Sequence, residues 1–169
     1  MKLSLVVGFA SAVLIASAAH AGPEKTAAGF WEQVGDDGDV GGWFLFTQKN
    51  GLYQGRLVKM FEKPGEPALT VCAKCPGDQK DAPMLGLVIV KGMRRDGVEY
   101  QGGSIIDPRD GMVYPAEMEL SPDGQKLSVR GYVGIALLGR TQVWRRLPDN
   151  TMAAKDIPKE SVSPDVAAH

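Results

Sequence analysis

Five dipeptides that favour tight turns punctuate the chain: Asp37-Gly38, Asn50-Gly51, Asp96-Gly97, Asp110-Gly111 and Asp123-Gly124. Each accepts the positive φ angles of short hairpin loops, and each stands between apolar or alternating runs. A chain cut up in this way passes up and down through neighbouring antiparallel strands. Strands are predicted at about 29–35, 41–48, 52–61, 86–94, 98–106, 112–120, 126–133 and 141–147, about eight in all. The run "MVYPAEMEL" shows the two-residue period: Tyr114, Ala116, Met118 and Leu120 share one face, and Val113, Pro115, Glu117 and Glu119 the other. One face wants a core and the other wants water.

Neither helical periodicity nor an alternation of strands with helices is visible beyond the first residues. Glycine is frequent, with 21 in the chain, and Gly55, Gly92, Gly102, Gly103 and Gly131 fall inside predicted strands. Strand glycines weaken a flat sheet but permit the bends and bulges through which a sheet coils shut. The expected fold is therefore all-β: an up-and-down antiparallel β-barrel of about eight strands, with a two-sheet sandwich as the alternative.

The two ends read differently. "MKLSLVVGFASAVLIASAAHA" has a basic residue, an apolar run and small residues at Ala19 and Ala21, the pattern of a secretory signal peptide over residues 1–21. The run is short for a membrane span and ends in a cutting site, so no membrane anchor is expected, and the chain is expected in the periplasm or secreted after cleavage near Ala21. Residues 22–28 read as an N-terminal linker and 29–147 as one β-barrel domain. Residues 148–169, "PDNTMAAKDIPKESVSPDVAAH", mix Pro, Ala, Ser and charges with no face to bury, and read as a disordered tail.

Composition narrows the function classes. With 19 Lys+Arg against 20 Asp+Glu, the chain has no basic footprint for nucleic acid, which is excluded as a partner. The only histidines are His20, within the signal, and His169, the last residue. The folded part thus lacks the usual general base and commonest metal ligand. Two carboxylate pairs, Asp107 with Asp110 and Glu117 with Glu119, could in principle serve acid–base chemistry. The first sits in a turn sequence, "DPRDG", and the second on the polar face of a strand. The acidic "GDDGDVGG" at 35–42 lacks the spacing of a calcium loop. No enzyme activity, metal or cofactor is expected.

The only cysteines, Cys72 and Cys75, lie in the long connection 62–85. In an exported protein a near pair is read as a disulfide. A redox centre would place the first cysteine at a helix N-terminus, whereas Pro76, Gly77 and Pro83 follow here; a zinc site would have to borrow carboxylates such as Asp78 and Asp81.

"CAKC", "PMLG", "GGSIIDPRDGMVY" and "LSVRGYVGIALLGRTQVWRR" together resemble the exported bacterial family catalogued as domain of unknown function 2147, over about Gly29 to Arg146. The resemblance implies a lipocalin-like (calycin-like) barrel and carries no assigned activity. "GFW" at 29–31 is similar to the Gly-x-Trp opening of such barrels, which implies that Trp31 plugs one end under an arginine near the last strand. Arg140 is the candidate, with Arg130 and Arg145 as alternatives.

An eight-stranded barrel is about wide enough for filling side chains or for one small ligand. A small hydrophobic molecule is the expected partner, with Tyr53, Leu57, Tyr100, Tyr114, Met118 and Trp144 as candidate lining. Arg130 and Tyr132 share a strand face and would join them if that face is the lumen. The alternative is a solid barrel that meets a protein partner, in envelope interaction or stress, through loop 62–85.

Overall fold

A computed structural model describes residues 24–167 except 36, 63, 64, 66, 67, 136 and 138. The segment read as a signal peptide lies outside the described residues. Eight strands follow one another: β1 (Gly29–Val34), β2 (Val40–Lys49), β3 (Leu52–Met60), β4 (Val88–Asp96), β5 (Glu99–Ile106), β6 (Val113–Leu120), β7 (Lys126–Gly131) and β8 (Arg140–Arg146). Each pairs antiparallel with its neighbours in sequence order, and β1 meets β8 to close the barrel. The closing register is Trp31 opposite Arg146 and Glu32 opposite Arg145. Closure leaves no unpaired strand edge.

The seam is reinforced from outside. Arg145 pairs with Glu32 at 2.8 Å, and the Trp43 indole N–H donates to the same carboxylate at 3.3 Å. Glu32 thereby ties β8, β1 and β2 together.

Side chains alternate as the sequence implies. On β6, Ala116, Met118 and Leu120 are buried while Val113, Pro115 and Glu119 are exposed. Strand glycines do two different jobs. Gly92 and Gly102, both with left-handed φ, sit where the pairing registers of β4 with β3 and of β5 with β6 shift. Gly55 makes room instead: a Cβ there would lie 2.6 Å from the Phe46 ring.

Two segments depart from expectation. Residues 24–28 are not a linker, for they close one end of the barrel. The Ala27 N–H donates to the Tyr100 hydroxyl at 2.8 Å, and the Ala27 carbonyl accepts from the Trp31 indole at 2.8 Å. Glu24 pairs with Arg95 at 2.7 Å. The C-terminal segment, expected to be disordered, is strapped along the wall. Ser161 N–H donates to the Gly86 carbonyl at 3.0 Å and Ser163 N–H to the Asp78 carbonyl at 2.6 Å. The Ser161 hydroxyl donates to the Pro83 carbonyl at 2.7 Å. Gly86, whose Cβ would collide with the Lys159 carbonyl, permits the approach. Composition hid this because the strap is held by backbone hydrogen bonds, not by an apolar face.

Candidate functional site

Up-and-down topology sorts the connections into two ends. Tight turns at 50–51, 97–98 and 121–125 gather at the end that residues 24–28 seal, and segments 35–39, 61–87, 107–112 and 132–139 gather at the other. The sealed end is built around Trp31, fully buried. The arginine over it is Arg146, whose guanidinium carbon lies 4.2 Å from the ring centroid. Arg140 is therefore not the partner: it pairs with Gly131 at the opposite end of β8. Arg130 and Arg145 are excluded too, since both are engaged elsewhere, with Glu117 and Glu32. Arg146, outside those candidates, has both the parity of β8's inward face, shared with Trp144, and a place at the sealed end. Arg146 also donates to the carbonyls of Gly124, Ala28 and Thr26. Burial lowers its pKa while Asp149 and Tyr100 act the other way, and a guanidinium remains charged throughout.

Five of the six candidate lining residues meet inside the barrel. Tyr53, Leu57, Tyr100, Met118 and Trp144 are all buried. They are packed against one another and their neighbours: Tyr53 and Tyr100 meet edge to face at 5.0 Å, and Trp144 lies 4.4 Å from Phe44 and 6.0 Å from Phe46. Such ring pairs stabilise beyond their buried area. In this arrangement the candidates fill space. Tyr114, half-buried, stands nearer the other end, with its hydroxyl donating to Asp110 at 3.4 Å.

Arg130 is not a lumen residue. Leu127 and Val129 point inward, so Arg130 lies on the outer wall, where it donates to the Thr141 hydroxyl at 2.6 Å. Tyr132 falls beyond the end of β7, so strand parity does not govern it. Sequence reasoning missed Gln33 and Gln142, which join across the closing seam at 2.9 Å, with Gln142 accepting from the Trp144 indole.

Cys72 and Cys75 form a disulfide with Cα atoms 5.4 Å apart, and both are buried. The bridge sits in a small hairpin. Val71 pairs with Pro83, Cys72 N–H donates to the Ala82 carbonyl and Met84 N–H to the Thr70 carbonyl. Gln79 anchors the hairpin to β4 by donating to the Val88 carbonyl at 2.7 Å. Gly111 packs directly on the Lys74 carbonyl, bringing the β5–β6 connection against the hairpin.

Between these two segments lies a groove of about 300 Å³, walled by residues 68–71, Ala73 and Lys74 on one side and Pro108 and Arg109 on the other. Its surface is mostly aliphatic, and among the described residues its ionisable walls are Lys74 and Arg109. A second cleft, of about 280 Å³, lies on the outer wall between β5 and β8 and is lined by Glu99, Glu117, Glu119 and Arg130 among others. The apolar residues Val133, Ile135 and Leu137 are also exposed at the open end, Leu137 by 82%. Among the described residues no three His, Cys, Asp or Glu are placed to hold a metal, and no helix is long and apolar enough to cross a membrane.

Among solved structures, the chain is similar to protein HP1028 from the human pathogen Helicobacter pylori, described as belonging to the lipocalin family. The two are 18% identical with a TM-score of 0.61, over 74% of this chain and 85% of that one. This likeness shows a shared fold. No curated protein matches the chain. Residues 29–146 match the family described as "Uncharacterized protein conserved in bacteria (DUF2147)", and the chain belongs to that family.

Proposed function

We propose that the protein is an exported, non-enzymatic binding barrel that takes a small apolar or amphipathic molecule at its open end. The observation that carries this reading is the open-end groove walled by Leu69, Val71, Ala73 and Pro108 together with Lys74 and Arg109. Inside the barrel Phe44, Phe46 and Trp144 pack ring against ring, so side chains occupy the space a deep ligand would need. The lipocalin-like fold supports small-molecule binding by analogy. The leading segment, with its apolar run and small residues before Gly22, supports export.

Native mass spectrometry of the protein purified from the periplasm of its own source tests the reading. A retained small molecule of constant mass is expected. Repeated preparations that carry none, together with no binding of added amphiphiles, would reject it.

A second reading is favoured by Val133, Ile135 and Leu137, three exposed apolar residues in one short connection. They suit a protein partner at the open end. Photo-crosslinking from position 137 in the native compartment distinguishes the two: a single discrete protein adduct supports the partner, and a ladder of unrelated adducts rejects it.

A further inference from the structure

We infer that the groove between the disulfide hairpin and the β5–β6 connection is a site for one free single-chain amphiphile with an anionic head. The inference deepens the proposed function and rests on it. Its walls supply both halves of the recognition. Leu69, Val71, Ala73 and Pro108 offer aliphatic surface for an alkyl chain, and among the described residues Lys74 and Arg109 are the ionisable groups that line the groove. Both are cationic, so a carboxylate or sulfate head is matched and an ammonium head is repelled. Asp107 and Asp110, beside Arg109 in sequence, are not among the groove's lining residues; Asp107 accepts from the Arg109 backbone N–H, and Asp110 from the Met112 backbone N–H and the Tyr114 hydroxyl. The volume, about 300 Å³, suits one chain and not a two-chain lipid.

The disulfide acquires a role from this placement. Ala73 and Lys74 are the two residues between the bridged cysteines, so the bridge fixes the wall that meets the ligand. Gly111 holds the same wall from the other side through its contact with the Lys74 carbonyl. A preordered wall lowers the ordering cost of binding.

Titration of the oxidised mature protein, labelled with nitrogen-15, with hexanoate, octanoate and decanoate below their micelle concentrations tests the site. Amide shifts are expected at residues 69–74 and 108–109, with affinity rising about fourfold per methylene until the groove is full. The charge-reversed double variant Lys74→Glu/Arg109→Glu should bind decanoate at least about tenfold more weakly, and decylammonium should bind wild type comparably weakly. The conservative pair Lys74→Arg/Arg109→Lys should keep wild-type affinity. Reduction of the disulfide should weaken decanoate binding severalfold without unfolding the barrel.

Shifts confined to 133–137 or to the Phe44–Trp144 interior would overturn the groove while leaving the binding-barrel reading standing. Equal affinity for decylammonium would overturn the anionic head. Binding to phosphatidylglycerol vesicles without binding to free decanoate would overturn the free ligand. No shift with any amphiphile would overturn the groove, and native mass spectrometry then decides the wider reading separately.

Discussion

Arg146 lies over Trp31, its guanidinium carbon 4.2 Å from the ring centroid, and the same two residues face each other across the β1–β8 seam. One contact therefore closes the barrel and seals its end. Because Arg146 also donates to the Thr26 and Ala28 carbonyls, it holds residues 24–28 in place. Arg146→Met, which keeps much of the volume but no donor, is expected to cost about 1–3 kcal/mol, combining the lost cation–ring attraction with the part-buried Thr26 and Gly124 carbonyls left unpaired. Urea unfolding measures it. A loss below about 0.5 kcal/mol would mean that the seal is not stabilising.

Tyr100 should make the fold sensitive to alkali. Burial is the main cause that raises its phenol above the ordinary value of 10.0, against the Ala27 N–H hydrogen bond, which favours the phenolate. A folded pKa above the unfolded one gives stability that is intact below pH 10 and lost as pH rises toward the folded value. Tyr100→Phe should remove that alkaline dependence. It should also cost about 1–3 kcal/mol at neutral pH, because the buried Ala27 N–H loses its acceptor. Unfolding curves at neutral and alkaline pH would separate the two effects.

Acid should act on the same end through different groups. The hydrogen bond from Arg95, and then its charge, hold the Glu24 carboxyl below its ordinary 4.5. Hydrogen bonds from Ser121 and the Gln125 N–H hold Asp123 below 3.8. Depressed carboxylates contribute stability that is complete above their unfolded values and fades as pH falls through the folded ones. Glu24→Gln should flatten the stability profile below about pH 4.5, and an unchanged acid limb would show that the Glu24–Arg95 pair does not couple to folding.

The disulfide should stabilise locally. Its loop is so short that the chain-entropy model assigns it about 2 kcal/mol. Cys72→Ser/Cys75→Ser is expected to lower stability by about that amount and to speed amide exchange in residues 70–84 while β1 and β8 remain protected. Thiol titration of the exported protein in denaturant should find no free cysteine; two reactive thiols would contradict the bridge.

Gly86 tests the C-terminal strap. With φ of +96° and the Lys159 carbonyl against its Cα, Gly86→Ala forces either a strained backbone, at about 1–2 kcal/mol, or retreat of the strap. Limited proteolysis should then cut within 148–163 many times faster than in wild type, leaving the barrel intact. Equal cutting rates would show that the strap does not depend on this approach.

The strand plan was legible in the sequence because its signals are local. Asn50-Gly51 and Asp123-Gly124 set φ within one turn, and Ala116, Met118 and Leu120 alternate within one strand. The bridge between Cys72 and Cys75 is local as well. What the sequence could not place were relations between distant segments held by particular hydrogen bonds. Arg140 and Arg146 are six positions apart on one strand and chemically the same; the pairing register alone puts Arg146 above Trp31. Arg130 needed the inward parity of Val129 to be assigned to the outer wall. The strap at Ser161 and Ser163 and the seal at Ala27 have no apolar periodicity, because backbone donors and acceptors anchor them. The groove depends on Gly111 meeting the Lys74 carbonyl, 37 positions away. Turn geometry and alternation are properties of neighbouring residues, so the coiling of this chain into antiparallel hairpins was already written in its order of residues. Which arginine seals the end, what fills the interior and where a ligand could sit came from the fold, because those depend on register and on contacts that chain closure creates.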